Sequence, residues 1–195
     1  MALPATDIAV VAVSYGFGCF LGAYYFFRWR TGTDIREFGS HNPGALNAGR
    51  LLGTEAFVAV LAIDAAKAAL AVGAARYFCH SEICVIAAMV AVVAGHLWPL
   101  QLGFRGGKGI AASLGVALIY APLTLALTVG VFLVLRTALK NFTLAGLTSF
   151  VLAPGIEWAT GHDMVRVLAL ILVVALVLPR HGADIVDEIT SRSPG

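Results

Sequence analysis

Seven apolar stretches separated by short polar connections make up most of this chain. They lie at about 5–27, 54–75, 83–104, 110–121, 122–139, 143–158 and 164–179. Most can cross a bilayer as a helix, since about 20 apolar residues span the hydrocarbon core. The fourth, about 12 residues, would form only about 18 Å of helix, and we expect Pro122 to mark its end. The pattern predicts an all-α polytopic membrane protein with about seven transmembrane helices.

The composition supports a membrane protein with little mass outside the bilayer. Of the 195 residues, 59% are hydrophobic and 12% are charged, whereas soluble domains carry about 25% charged residues. We therefore expect one integral membrane domain over residues 1–189 and a disordered tail over residues 190–195. The net charge of +2, without a long basic run, gives no reason to expect a nucleic-acid partner.

The lysines and arginines predict the orientation of the chain. With the N-terminus placed outside, only Arg76 and Arg166 fall in external connections, and Lys67 lies within a span. All the other basic residues then fall in cytoplasmic connections, which normally carry the positive excess. The sequence therefore predicts an external N-terminus, a cytoplasmic C-terminus and a cytoplasmic position for its longest polar loops.

Cysteine and histidine give no sign of a metal or cofactor site. The three cysteines form no Cys-x-x-Cys pair, and the five histidines are scattered singly. A disulfide between Cys79 and Cys84 is possible across one short loop. Because free cysteine behaves as a small apolar residue, unpaired buried cysteines are the favoured interpretation. We expect neither a metal nor a cofactor.

The first unusual polar loop covers residues 33–50 and combines glycines with small polar side chains. Glycine permits tight turns whose N–H groups converge on an anion, and an arginine can bind phosphate with two parallel hydrogen bonds. A turn-rich loop that only carries a cytoplasmic arginine is the alternative. The candidate anion-binding residues are Ser40, Asn42, Gly44, Asn47 and Arg50.

The second polar loop, residues 95–109, places four glycines around Arg105 and Lys108 directly before an apolar helix. The N-terminus of a helix beside a cation is favourable for an anion. The loop is not a Walker A motif, because Gly103 to Lys108 is one residue too short and Gly109 replaces the required Ser or Thr. A flexible hairpin is the alternative. The candidate residues are His96, Arg105, Gly106, Gly107, Lys108 and Gly109.

Two further pairs of charged or titratable residues have the i, i+3 spacing of one helix face. His181 and Asp184 follow the last apolar stretch and can pair there. Asp64 and Lys67 lie inside the second stretch, where ionisable groups are costly and usually pair. We interpret Asp64 and Lys67 as an ion pair that holds the helices together, and orientation of the phosphate-binding loops is the alternative.

In their order and spacing these residues resemble a known bacterial family, the acyl-phosphate-dependent glycerol-3-phosphate acyltransferases called PlsY. The family's first motif, close to GSGNIGATNxGR, corresponds to GSHNPGALNAGR at 39–50. Its second, close to GHxxPxxxxFxGGKGxA, corresponds to GHLWPLQLGFRGGKGIA at 95–111. Asp64 and Lys67 match its Asp-x-x-Lys pair, and His181 matches the histidine of the third motif. The chain lacks the HxxxxD motif of the other acyltransferase class.

The resemblance implies transfer of an acyl group from acyl phosphate to the 1-hydroxyl of glycerol 3-phosphate. The products would be lysophosphatidic acid and phosphate, in the first step of phospholipid synthesis at the inner face of the bacterial cytoplasmic membrane. A soluble acyl-phosphate-forming enzyme is a possible partner. Carried over by the resemblance, Ser40, Lys108 and His181 would serve catalysis, with Lys108 neutralising a phosphate, and Ser40, Asn42, Asn47 and Arg50 would bind phosphate. Asp184 is counted among the substrate-binding candidates. We expect Arg50, Lys108 and His181 to share one cationic site.

Four residues depart from the family motifs. His41 replaces glycine, Pro43 an aliphatic residue, Leu46 threonine and Asp184 asparagine. Leu46 removes a hydrogen-bond donor, and Asp184 adds negative charge near a phosphate unless it pairs with a neighbouring cation. A divergent member that acylates another acceptor, or that is inactive, is therefore one alternative. A small anion transporter is the other.

Overall fold

The computed structural model describes residues 4–190, and every regular element in that range is helical. The prediction of an all-α protein is therefore confirmed. Three short 3-10 turns cover Ile35–Glu37, Leu100–Leu102 and Leu178–His181. The α-helices are α1 (Ala5–Cys19), α2 (Gly22–Thr31), α3 (Ala45–Leu52), α4 (Thr54–Phe78), α5 (Glu82–Leu97), α6 (Ile110–Tyr120), α7 (Pro122–Leu139), α8 (Phe142–Ala159), α9 (Met164–Val177) and α10 (Gly182–Thr190).

Six segments of the described chain are long and apolar enough to cross a membrane. The predicted short fourth stretch is α6, whose 11 residues give about 16 Å of helix. Pro122 is the first residue of α7, a position where its missing N–H costs nothing, so the predicted end before Pro122 is confirmed. A total of seven spans and the orientation of the termini stay predictions.

The first apolar stretch, predicted as one span, is broken into two helices. α1 ends at Cys19 and α2 begins at Gly22, with extended backbone at Phe20 and Leu21. The stretch remains one candidate span, Ala5–Thr31, and hydropathy gives no sign of the break because Phe20 and Leu21 are as apolar as their neighbours. The backbone groups released there need partners from other helices.

The described chain forms two compact units, divided between Tyr120 and Ala121. A single domain over residues 1–189 stays a prediction. Small residues bring the helices of the first unit into backbone contact, as is typical of membrane helices. A Cβ added to Gly18 would lie 2.1 Å from the Val92 carbonyl oxygen, and one added to Gly115 would lie 1.9 Å from that of Ala65.

The second unit contains a charged residue that is completely buried. Glu157 of α8 accepts a hydrogen bond from Thr124 of α7 and one of 2.7 Å from Nε of Arg166 in α9. Buried charge is tolerated only when it is paired in this way. The network therefore ties three consecutive helices together. At the other end of the unit, Oδ1 of Asn141 accepts from the Leu144 N–H, 2.8 Å away, and caps α8.

Cys79 and Cys84 form a disulfide, whereas Cys19 is free and buried. The interpretation of all three as unpaired is therefore wrong for two of them. The short turn between α4 and α5 brings the two Cα atoms to 5.7 Å, within the normal range for a disulfide.

Of the predicted tail, Thr190 is the last residue of α10, and residues 191–195 lie outside the described chain.

Candidate active site

The two glycine-rich loops meet at one end of the first unit through Arg36. Asp34 accepts from the Arg36 N–H at 2.9 Å, and its carboxylate lies 2.7 Å from Nη2 of the same arginine. These hydrogen bonds lower the pKa of Asp34 below its usual value. Nη1 of Arg36 donates to the Leu102 carbonyl oxygen at 2.8 Å. Arg36 therefore joins residues 33–50 to residues 95–109, a role that the sequence did not reveal.

The side chain of Asn47, in α3, bonds to the backbone of the first loop. Its Nδ2 donates to the Phe38 carbonyl oxygen, and its Oδ1 accepts from the Ser40 N–H, each at 3.0 Å. Gly39 has a φ of +59°, and a Cβ there would lie 2.3 Å from Oδ1 of Asn47. Since Asn47 is buried and engaged in these bonds, its observed task is to shape the loop.

The remaining candidates of the first loop surround the beginning of α3. Gly44 precedes the helix, and a Cβ there would lie 2.7 Å from Nδ2 of Asn42. The first N–H groups of a helix have no internal acceptors and carry partial positive charge. The exposed Ser40 precedes them, and the exposed Arg50 lies further along α3. This end of α3 therefore combines helix donors, polar side chains and a cation.

The second loop folds back onto the end of α5. The N–H of Gly106 donates to the Leu97 carbonyl oxygen at 3.1 Å, and that of Gly107 donates to the His96 carbonyl oxygen at 3.0 Å. Because these two N–H groups are already engaged, the observed task of Gly106 and Gly107 is to shape the loop. They hold the backbone in a form that leads directly to Lys108.

Lys108 lies at the entrance to α6. Gly109, with a φ of +96°, follows it, and its carbonyl oxygen accepts 2.9 Å bonds from both the N–H and the hydroxyl of Ser113. Lys108 is half-buried, and Arg105 is exposed on the same loop. The arrangement brings a lysine to a second helix N-terminus, which is the combination expected of an anion site.

The buried charges of the first unit lie beneath this loop. Nζ of Lys67 is 2.9 Å from Oδ1 of Asp64, so the predicted ion pair is confirmed. The same Nζ is 2.9 Å from Nδ1 of His96. His96 is only 2% exposed, so its ring lies under the loop instead of on the loop surface.

His181 and Asp184 belong to the second unit and form the predicted pair. Nδ1 of His181 lies 2.9 Å from Oδ2 of Asp184, and the His181 side chain is buried. Asp184 is therefore paired with its own neighbour, which was the condition for it not to repel a phosphate. A shared site of His181 with Arg50 and Lys108 stays a prediction.

Within residues 4–190, one group of side chains has the spacing of a metal site, namely Asp7 with Cys79 and Cys84. Its two sulfur atoms are joined in the disulfide, so they are not free to act as thiolate ligands. The group lies at the beginning of α1 and the end of α4, away from the two loops.

Residues 8–190 match the family model described as glycerol-3-phosphate acyltransferase. A relative of that name from Desulfitobacterium hafniense is 36% identical over 188 residues, which cover 96% of this chain and 93% of the relative. Another, from Neisseria meningitidis serogroup C, is 35% identical over 95% of each chain.

Two solved structures have the same fold. One is PlsY, described as an integral membrane glycerol 3-phosphate acyltransferase, in its glycerol 3-phosphate form. It has a TM-score of 0.89 and 28% identity over 96% of this chain and 94% of its own. The other is the lysophosphatidic acid form, with a TM-score of 0.85 and 27% identity.

Proposed function

The chain belongs to the glycerol-3-phosphate acyltransferase family, and we propose that its acyl donor is an acyl phosphate, used at the cytoplasmic face of a bacterial inner membrane. The acceptor is glycerol 3-phosphate, and the lipid product is lysophosphatidic acid. In this reaction the acceptor hydroxyl oxygen bonds to the acyl carbon. The bond from that carbon to the phosphate oxygen breaks, the hydroxyl proton passes to the departing phosphate, and inorganic phosphate leaves.

Such a reaction needs charge neutralisation more than a strong base. An acyl phosphate already carries a good leaving group, so positioning and electrostatic stabilisation can supply most of the rate enhancement. Both substrates are anions, and cations beside helix N-termini bind anions well. We assign Arg50 and Lys108 to the two phosphates, with Ser40 and Asn42 as neutral donors.

One observation supports this assignment above all. The hydrogen bond from Arg36 to the Leu102 carbonyl oxygen joins the two glycine-rich loops, so α3 with Arg50 and α6 with Lys108 begin on loops held together. Arg105 is a further exposed cation of the second loop. We also propose a catalytic role for His181, which is paired with Asp184.

The donor assay tests the proposed reaction directly. We expect the purified protein in detergent to form lysophosphatidic acid from acyl phosphate and glycerol 3-phosphate, with one phosphate released per product. Acyl-coenzyme A and acyl-carrier-protein donors should react at least 100-fold more slowly, since their thioesters carry no phosphate on the acyl carbon for the proposed cationic site to bind. Product is measured by chromatography and phosphate by colorimetry.

The control for this assay omits glycerol 3-phosphate and should release no phosphate beyond uncatalysed hydrolysis. Equal rates with a thioester donor would contradict the proposed donor.

Because acyl phosphates are reactive mixed anhydrides, we further propose that a soluble acyl-phosphate-forming enzyme supplies the donor at the membrane.

The disulfide supports the proposed orientation. Disulfides persist in oxidising compartments and are rare in the bacterial cytoplasm. Cys79 follows the end of α4, and Gly53, which directly follows α3 with Arg50, precedes its beginning. The 25 residues of α4 give about 37 Å of helix between them, enough to cross a bilayer. An external disulfide therefore places the glycine-rich loops on the cytoplasmic side in this proposal.

Labelling of cysteines in spheroplasts tests the orientation. After treatment with a membrane-impermeant phosphine, we expect Cys79 and Cys84 to react with a membrane-impermeant maleimide without permeabilisation. A Leu100→Cys variant, changed at an exposed position of the second loop, should be labelled at the introduced thiol only after permeabilisation. Peptide mass spectrometry identifies the labelled sites, and the reverse pattern would contradict the proposed orientation.

A further inference from the structure

At the break between α1 and α2, two side chains of α4 bond to backbone groups that lack partners within the helices. Nζ of Lys67 in α4 donates to the carbonyl oxygen of Gly18 at 3.0 Å and also contacts that of Phe20. Oδ1 of Asp64 accepts from the Gly22 N–H at 3.0 Å. The ion pair thus satisfies two of the carbonyl oxygens and one N–H that the broken helix releases, which hydrocarbon could not do. Nε2 of Gln101 donates to a third carbonyl oxygen, that of Cys19.

Nζ of Lys67 lies near acceptor atoms beyond the two carbonyl oxygens at the break. An ammonium group carries three N–H donors, and Nζ of Lys67 lies near four acceptor atoms. Two are the carbonyl oxygens at the break, the third is Oδ1 of Asp64, and the fourth is Nδ1 of His96 at 2.9 Å. The contact with His96 extends the network from the break to α5 and to the loop that follows it.

His96 transmits this contact to the glycine-rich loop. A Cβ added to Gly107 would lie 2.3 Å from Nε2 of His96, so the loop backbone rests directly on the ring. The N–H of Gly107 also donates to the His96 carbonyl oxygen at 3.0 Å. Because Nδ1 faces the ammonium of Lys67, it accepts, and the ring proton resides on Nε2. The ring therefore contacts Lys67 on one side and the loop backbone at Gly107 on the other.

From this chain of contacts we infer that Lys67 is a positioning residue for acyl transfer: through the His96 ring it fixes the backbone at Gly107 and thereby the neighbouring Lys108. The inference rests on the proposed function, in which Lys108 binds a substrate phosphate. Lys67 touches neither substrate. It acts by holding the loop backbone in the conformation that positions Lys108. Replacing Lys67 should therefore lower kcat/KM more than a role limited to bonding the backbone at the break would predict.

A double-mutant cycle of Lys67→Met and His96→Ala tests this inference in the full chain in detergent. We expect each single variant to lower kcat/KM for glycerol 3-phosphate at least 30-fold, chiefly through a higher KM. The double variant should be within about 3-fold of the worse single variant, because residues that act through one contact are not additive. Acyl phosphate is the donor, and lysophosphatidic acid is measured.

A second variant keeps the test informative if Lys67→Met does not fold. Lys67→Arg keeps the charge and the donors that close the break, but its larger planar group cannot hold the His96 ring in the same place. We expect Lys67→Arg to fold, by size-exclusion chromatography and helical circular dichroism, with kcat/KM lowered at least 10-fold. If neither variant folds, Lys67 serves only the folding of the span, and the inference is wrong.

Arg166→Met provides the matched control, since it breaks the buried ionic network around Glu157 in the second unit. It should lower the melting temperature but leave kcat/KM of the folded protein within about 2-fold. Multiplicative losses in the double-mutant cycle, or full kcat/KM in a folded Lys67 variant, would overturn the inference. The wild-type donor assay separates this outcome from failure of the proposed function, because it shows whether the unmutated chain uses acyl phosphate before any Lys67 variant is compared with it.

Discussion

Replacing Lys108 with alanine should abolish acyl transfer while leaving the fold intact. The change removes the half-buried cation at the entrance to α6 and keeps the glycines that shape the loop. Loss of one preorganised group that stabilises developing charge typically costs about 10²–10³ in kcat, and Lys108 is also proposed to bind the phosphate. We expect lysophosphatidic acid formation by the purified variant to fall at least 10³-fold.

Lys140→Ala is the control for this variant. Lys140 is an exposed lysine that follows α7 and has no assigned role in the reaction. Its replacement removes the same charge and should leave kcat and KM within about 2-fold of wild type. Full activity of purified Lys108→Ala would refute the assignment of Lys108 to phosphate.

The Gly106→Ala variant should lose almost as much activity as Lys108→Ala, for a steric reason. A Cβ at this position would lie 2.1 Å from the His96 carbonyl oxygen and 2.6 Å from that of Leu97. Both are backbone atoms at the end of α5, so the loop itself must move. Overpacking of this kind costs about 1–3 kcal/mol, and movement of the loop displaces Lys108. We expect less than about 1% of wild-type activity and a lower melting temperature.

Gly103→Asn tests whether any change in this loop has the same effect. Gly103 has a φ of +63°, and a Cβ there meets no atom within 4 Å. Asparagine tolerates this left-handed conformation better than most residues. We expect activity within about 2-fold of wild type. Comparable activity of Gly106→Ala and Gly103→Asn would show that the close approach at Gly106 is not needed.

Much of the fold could be predicted because hydropathy alone determines where a membrane helix can lie. The long apolar stretches correspond to helices, and Pro122 separates α6 from α7 as expected. The Asp64–Lys67 pair was also predictable, since two opposite charges with i, i+3 spacing inside a span have few partners besides each other. The same local logic predicted the pairing of His181 with Asp184.

Features that depend on contacts between distant residues could not be predicted. The partner that closes the break at Phe20 is Lys67, 47 residues further along, and no local pattern links them. Arg36 and Leu102 are 66 residues apart, so the sequence shows two loops but not the bond that joins them. Glycine in a polar loop suggested anion-binding N–H groups, whereas those of Gly106 and Gly107 bond to the end of α5.

The transporter alternative is less well supported than acyl transfer. A transporter places polar groups through the membrane midplane on several helices. The charged pair in the second span, Asp64 and Lys67, is engaged with the broken helix and with His96. The family membership and the likeness to the glycerol 3-phosphate form of PlsY favour the enzyme.

The break between α1 and α2 also bears on how the protein is made. When the first hydrophobic segment leaves the ribosome, the residues that satisfy its exposed carbonyl oxygens have not yet been synthesised. Lys67 and Asp64 arrive only with the second segment, and His96 with the third. We therefore expect the first segment to remain beside the insertion machinery until its partners emerge, so that the early helices enter the lipid as a group.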